Sequence, residues 1–182
     1  MKKLFITLTV IIIVLFALFA FSLYSQVSFT PCSIAGSVID TDPAGLNVRS
    51  GPGTGYPVIG KLPTGTDGVI VEIIGVRGSW FFIHNASGID FDVSFKGRGW
   101  VYASLLGTQV RGNAGADTAE KYMKVQLFSS PGERSSLAGV VHAESSLTLL
   151  SCQGKWAKIR LNKVIGWLAP DNQCPNPVTT CP

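Results

Sequence analysis

After an uncharged run from Leu4 to Tyr24, the apolar residues come in short groups broken by Gly, Pro and Ser. The pattern within these groups is of the strand type. In Trp80-Phe81-Phe82-Ile83-His84 and Trp156-Ala157-Lys158-Ile159-Arg160-Leu161, alternate positions fall on opposite faces. Lys158 and Arg160 belong in water and share a side with Trp156, so Ala157, Ile159 and Leu161 turn inward. The same logic buries Phe81 and Ile83 and turns Trp80 and Phe82 outward. In Gly99-Trp100-Val101-Tyr102 it buries Val101 and turns Trp100 and Tyr102 outward.

These groups recur. Leu46-Asn47-Val48-Arg49-Ser50-Gly51-Pro52-Gly53 aligns without a gap on Val125-Gln126-Leu127-Phe128-Ser129-Ser130-Pro131-Gly132. At the same separation Val58-Ile59-Gly60 meets Leu137-Ala138-Gly139, and Val69-Ile70-Val71 meets Thr148-Leu149-Leu150. After a three-residue deletion Gly78-Ser79-Trp80 meets Gly154-Lys155-Trp156, and Gly99-Trp100-Val101 meets Gly166-Trp167-Leu168. Each copy therefore predicts about five short strands with a Pro-Gly turn after the first. Two copies are too few for a solenoid, so each is expected to close a core of its own. The predicted organisation is a leader at 1–25, a linker at 26–40, a first unit at 41–107, a flexible linker at 108–120, a second unit at 121–175 and a tail at 176–182.

Three stretches of the first copy resemble the bacterial Src-homology-3 (SH3b) domain family: Leu46 to Gly53, Val58-Ile59-Gly60-Lys61-Leu62-Pro63-Thr64-Gly65-Thr66, and Gly99-Trp100-Val101-Tyr102-Ala103-Ser104-Leu105-Leu106. The second copy keeps the Pro-Gly turn, Trp156 and Gly166-Trp167-Leu168, but has Gln126 and Phe128 where the family pattern has Asn and Arg, here Asn47 and Arg49. The resemblance implies an all-β chain of two tandem SH3-like barrels, of a kind often attached to cell-wall hydrolases or surface proteins. It implies that such barrels bind wall peptides or glycans, or act as spacers.

The candidate binding surface is the aromatic set Trp80, Phe82, Trp100 and Tyr102, with Tyr56 as a neighbour, since rings with a polar edge suit sugar faces and peptide backbones. The alternative is that these rings wrap the rim of a core too small to cover them. Asn47 and Arg49 face solvent beside the Gly51-Pro52-Gly53 turn, where they contact a ligand carboxylate or brace the turn through backbone carbonyls. The first copy also carries an insert, Asn85 to Arg98, in which Ile89, Phe91, Val93 and Phe95 alternate with Asp90, Asp92, Ser94 and Lys96. That alternation predicts an amphipathic strand that covers the barrel or offers an edge to a partner strand.

Charge and cysteines set the compartment. Lys2 and Lys3 precede the apolar run as a signal peptide's positive region does, and the run is also long enough for an uncleaved anchor; both readings place the chain after about residue 26 outside the cytoplasm. Without these two lysines the 15 basic residues become 13 against 11 acidic, a bias too small to argue for nucleic acid. The four cysteines, Cys32, Cys152, Cys174 and Cys181, follow the leader, where disulfides form. Of the three possible connectivities the expected one is Cys152–Cys174 within the second barrel and Cys32–Cys181 between the chain ends.

Enzyme chemistry has little to stand on. A cysteine hydrolase needs a Cys and a His on a domain of their own, and His84 and His142 lie inside the repeats. No C-x-x-C, H-E-x-x-H or G-x-S-x-G motif is present, and Asp90 and Asp92 read as a solvated strand face. No metal or cofactor is expected. Asn85-Ala86-Ser87 matches a glycosylation acceptor, to which no role is attached. The expected function is non-catalytic binding of peptidoglycan or another wall peptide or glycan. The alternatives are contact with another extracytoplasmic protein through the insert, and a small wall hydrolase; the membrane is touched only by the N-terminal segment.

Overall fold

The computed structural model describes residues 28–65, 68–93 and 95–176; the leader, most of the tail and Cys181 lie outside them. Among the described residues no helix is long and apolar enough to cross a membrane.

The described residues are all-β apart from one short α-helix and two 3-10 turns. In order come β1 (Thr30–Val38), β2 (Leu46–Arg49), β3 (Val58–Leu62), β4 (Val69–Arg77), β5 (Trp80–Gly88), β6 (Arg98–Tyr102) and β7 (Leu106–Val110). Then follow α1 (Ala119–Met123), β8 (Lys124–Phe128), β9 (Leu137–His142), β10 (Ser146–Gln153), β11 (Trp156–Leu161), β12 (Val164–Leu168) and β13 (Gln173–Cys174). A 3-10 turn precedes β7 (Ala103–Leu105), and another precedes β13 (Pro170–Asn172).

The strands join in the order β3-β2-β6-β5-β4-β1-β7-β10-β11-β12-β8-β9, with β13 on β7. Read outward from the centre, the two halves are the same: β4-β5-β6-β2-β3 and β10-β11-β12-β8-β9. The internal repeat of the sequence is thus a repeat of topology. Alternation sets the core as expected. Phe81, Ile83, Val101, Ala157 and Ile159 are fully buried, and Leu161 packs against them partly buried.

The halves are not separate beads, which corrects the expectation of independent cores. The stretch read as a linker at 26–40 contains β1, and the one read as flexible at 108–120 begins inside β7. β1 pairs with β4 through Ser37↔Ile70, and β7 pairs with β10 through Leu147↔Thr108. Each half therefore has a sixth strand in front of it, and these two strands pair with each other at Ser37↔Gly107 and Val38↔Leu106. A Cβ on Gly36 would sit 2.7 Å from Leu149 Cδ1, and one on Gly107 would sit 2.9 Å from the Leu147 carbonyl. Glycine is at both positions because the strands approach closely there. The polar side chains at this junction are satisfied: Ser37 Oγ donates to the Gly107 carbonyl at 3.4 Å, and Thr108 Oγ1 to the Cys174 carbonyl at 2.9 Å.

The disulfide bridges the halves, so the expected pairing is wrong. Ser33 N donates to the Gly154 carbonyl at 2.7 Å, which draws β1 against the β10–β11 turn. Cys32 and Cys152 then lie with Cα atoms 5.9 Å apart and form the bond. Cys174, which was expected to pair with Cys152, is buried on β13 and is itself disulfide-bonded.

The insert does not form the expected strand. β5 ends at Gly88, and the chain then folds back over the first half, burying Val93 and Phe95. Phe95 lies on Gly60 of β3, and Phe91, still 37% exposed, lies on Gly88. The alternating apolar residues serve as a cover, one of the two roles open to them. Asp90 and Asp92 are exposed.

Candidate functional site

Trp80 and Phe82 of β5 and Trp100 and Tyr102 of β6 point outward, as alternation requires, but they divide into two groups. Phe82 and Trp100 stack with ring centroids 4.8 Å apart, and Phe29 closes over both at 5.1 and 6.0 Å. Phe29 reaches them from the start of β1 across Gly75, where there is no side chain in its way. Trp100 consequently keeps 3% of its surface. The expectation of an open ring at Trp100 is corrected: it faces outward and is covered.

The second group stays open. Trp80 and Tyr102 are paired across β5 and β6 and meet edge to face at 5.5 Å, with Tyr102 42% exposed. They form one wall of a groove of about 680 Å³ that also takes in Asn47, Arg49 and the acidic residues Asp40 and Asp42. Four of the seven residues singled out in the sequence thus come together: Asn47, Arg49, Trp80 and Tyr102. Phe82 and Trp100 belong to the covered stack. Tyr56, also 42% exposed, lies outside the groove with its ring on Gly51.

Arg49 braces the turn. Its Nη1 donates to the carbonyls of Thr54 at 2.9 Å and Tyr56 at 2.8 Å, holding the Gly-Pro-Gly loop against β2. Both bonds are made by the one nitrogen Nη1. Asp40 and Asp42 escaped the sequence reading because they lie in what was taken for a linker and its edge. Their signal was the D-x-D-P pattern of a turn. Asp40 Oδ1 accepts from Asp42 N at 3.1 Å and Asp42 Oδ1 from Ala44 N at 2.9 Å, each side chain folding back on the backbone two residues on. The Thr64 hydroxyl donates to the Asp42 carbonyl and fixes the loop from the other side.

Chemically the groove offers two aromatic edges, one guanidinium, one amide and two carboxylates, a set suited to binding. Among the described residues no three His, Cys, Asp or Glu side chains gather as a metal site.

Residues 44–107, which hold most of this groove, match the model of the bacterial SH3 domain and are such a domain. Over 147 residues, or 79% of the chain, the sequence is 29% identical to the Bacillus subtilis protein named "Putative N-acetylmuramoyl-L-alanine amidase YrvJ", and the match spans 28% of that protein. Among solved structures, NlpC1 from Trichomonas vaginalis shares 16% identity over 82% of this chain and 48% of its own, with a TM-score of 0.31. An NlpC/P60 family protein from Bacillus cereus shares 12% over 76% and 55%, with a TM-score of 0.25.

Proposed function

We propose that this is an exported, non-catalytic cell-envelope protein whose first unit holds peptidoglycan, by stem peptide or glycan, in the groove between Trp80 and Tyr102 on one side and Asn47 and Arg49 on the other. The observation that carries the reading is the open Trp80–Tyr102 pair beside a turn made rigid by Arg49. Exposed aromatic edges at a pre-formed groove bind polar ligands without the entropic cost of ordering it. Two further facts support it: the bacterial SH3 domain at 44–107, and a relative named for cleaving a bond of the wall. Because the chain spans 28% of that relative, the relative's activity does not come with the likeness. The disulfide fits an oxidising, extracytoplasmic location.

The rival reading, a protein partner docking on the insert strand, loses support because Val93 and Phe95 are buried and residues 89–93 form no strand among the described residues. A hydrolase reading would need turnover of wall substrates by the chain itself.

Co-sedimentation of the detergent-solubilised full chain with purified sacculi tests the proposal. Wild type should pellet with the wall, and the Trp80→Ala, Tyr102→Ala double variant should bind at least about tenfold more weakly while keeping its fold. Equal pelleting of the two proteins would reject the groove as the wall contact.

A further inference from the structure

The repeat that places the first groove also places a second one. Asn47, Arg49, Thr54, Tyr102 and Leu105 line the first; their repeat equivalents Gln126, Phe128, Glu133, Ala169 and Asn172 line a groove of about 1060 Å³, larger than the first. The position is the same, between the strand before the Pro-Gly turn and the 3-10 turn that follows the Gly-Trp strand. The contents differ. Where the first groove has the phenol of Tyr102 the second has the methyl of Ala169, which accounts for part of its greater width. Where the first has Arg49 the second has Phe128, half-buried, with its ring held edge to face against Trp156 at 5.5 Å.

The polar wall of this groove is built in advance. Asn113 Nδ2 donates to the carbonyls of Lys121 and Lys124, both at 2.8 Å, tying the turn after β7 to α1. Asn172 Nδ2 donates to Asn113 Oδ1 at 3.2 Å and to the Arg111 carbonyl at 3.1 Å. The charges are largely cancelled within the wall. Lys121 pairs with Asp117 at 2.9 Å and Lys124 with Glu120 at 2.5 Å, which leaves Glu133 as the lining charge outside an ion pair among the described residues. Such a groove holds out no net attraction for an anion. It presents a ring, locked amides and one carboxylate acceptor, which match the apolar face and hydroxyl donors of an uncharged sugar.

We infer that the second unit carries its own binding site in this groove, and that it takes a neutral saccharide rather than the ligand of the first groove. The site stands whether or not the first groove binds the wall, because it rests on different residues.

The probe is the tetramer of N-acetylglucosamine, titrated into the isotope-labelled full chain in detergent and followed by amide NMR and calorimetry. The expected result is saturable binding with shifts concentrated at Asn113, Gln126, Phe128 and Ala169. Affinity should change by less than about twofold when salt rises from about 50 to about 500 mM, since no ion pair forms with the ligand. Ala169→Tyr, which restores the first unit's phenol and fills the groove, should weaken binding about tenfold or more, and so should Phe128→Ser. Ala169→Tyr covers the case in which Phe128→Ser disturbs folding. No binding by wild type, shifts confined to the first groove, a steep salt dependence, or full affinity in Ala169→Tyr would each overturn the inference.

Discussion

The two halves of this protein agree inside and differ at their grooves. Val48 and Leu127, Val71 and Leu150, and Val101 and Leu168 are equivalent apolar pairs on the same strand order, and five of those six residues are fully buried; Leu150 is half-buried. At the groove the first half has Asp42, Arg49 and Tyr102 where the second has Lys121, Phe128 and Ala169. The turn between the first two repeat strands is also held differently. Arg49 reaches over it in the first half. In the second, Ser129 and Ser136 hydroxyls bond at 2.7 Å and Ser135 Oγ donates to the Ser130 carbonyl at 2.8 Å. A backbone bond closes both turns, Ser50 N to the Pro57 carbonyl at 3.0 Å and Ser129 N to the Ser136 carbonyl at 2.8 Å. A β core of this size accepts many apolar side chains of similar volume, whereas these three differences alter the shape and chemistry of a groove.

The largest effect is expected where the halves are joined. Replacing Cys32 and Cys152 with Ser opens a link between residues 120 positions apart. That should cost about 2–5 kcal/mol in urea unfolding and split one transition into two, one per half. An unchanged single transition would mean that β1, β7 and β10 hold the halves together unaided.

Next comes Gly107→Val, whose branched side chain meets the Leu147 carbonyl and Ile39. A loss of about 1–3 kcal/mol is expected by thermal or urea unfolding. Gly115→Val, at a position with nothing within 4 Å but a positive φ of 76°, separates backbone strain from crowding. If Gly107→Val were harmless, the close approach at the junction would be no constraint.

The smallest effect distinguishes the two turns. Arg49→Met removes the two bonds to Thr54 and Tyr56 and should cost about 1–2 kcal/mol, with faster amide exchange at residues 50–56 only. Amides at 129–136 should exchange as before, because serine hydroxyls brace that turn. Equal loosening of both turns would contradict the separate bracing.

The repeat, the strand faces and the groove residues Asn47, Arg49, Trp80 and Tyr102 were legible because alternation in a half-buried strand leaves little choice of side. The covered state of Trp100 was not, since the covering ring, Phe29, comes from a segment 71 positions away that carries no repeat signal. β1 and β7 were also missed. Ser, Gly and Thr in them resembled a linker's composition, yet Gly36 and Gly107 are there to admit a neighbouring strand and Ser37 and Thr108 to satisfy carbonyls within the junction. The cysteine pairing followed from the same omission, because Cys32 meets Cys152 only once β1 is part of the sheet. In the insert, alternation correctly marked an apolar face but not a strand, since no neighbouring strand supplies a ladder for residues 89–93 among the described residues.

The proposed wall contact is the first groove and not the aromatic surface as a whole. Amide NMR of the full chain with a soluble muropeptide from digested wall tests it most directly. Saturable shifts are expected at Asn47, Arg49, Thr54, Trp80 and Tyr102, with the Phe29, Phe82 and Trp100 stack unmoved. Shifts centred on that stack or on the exposed β3 residues Val58 and Ile59, with the groove silent, would contradict it.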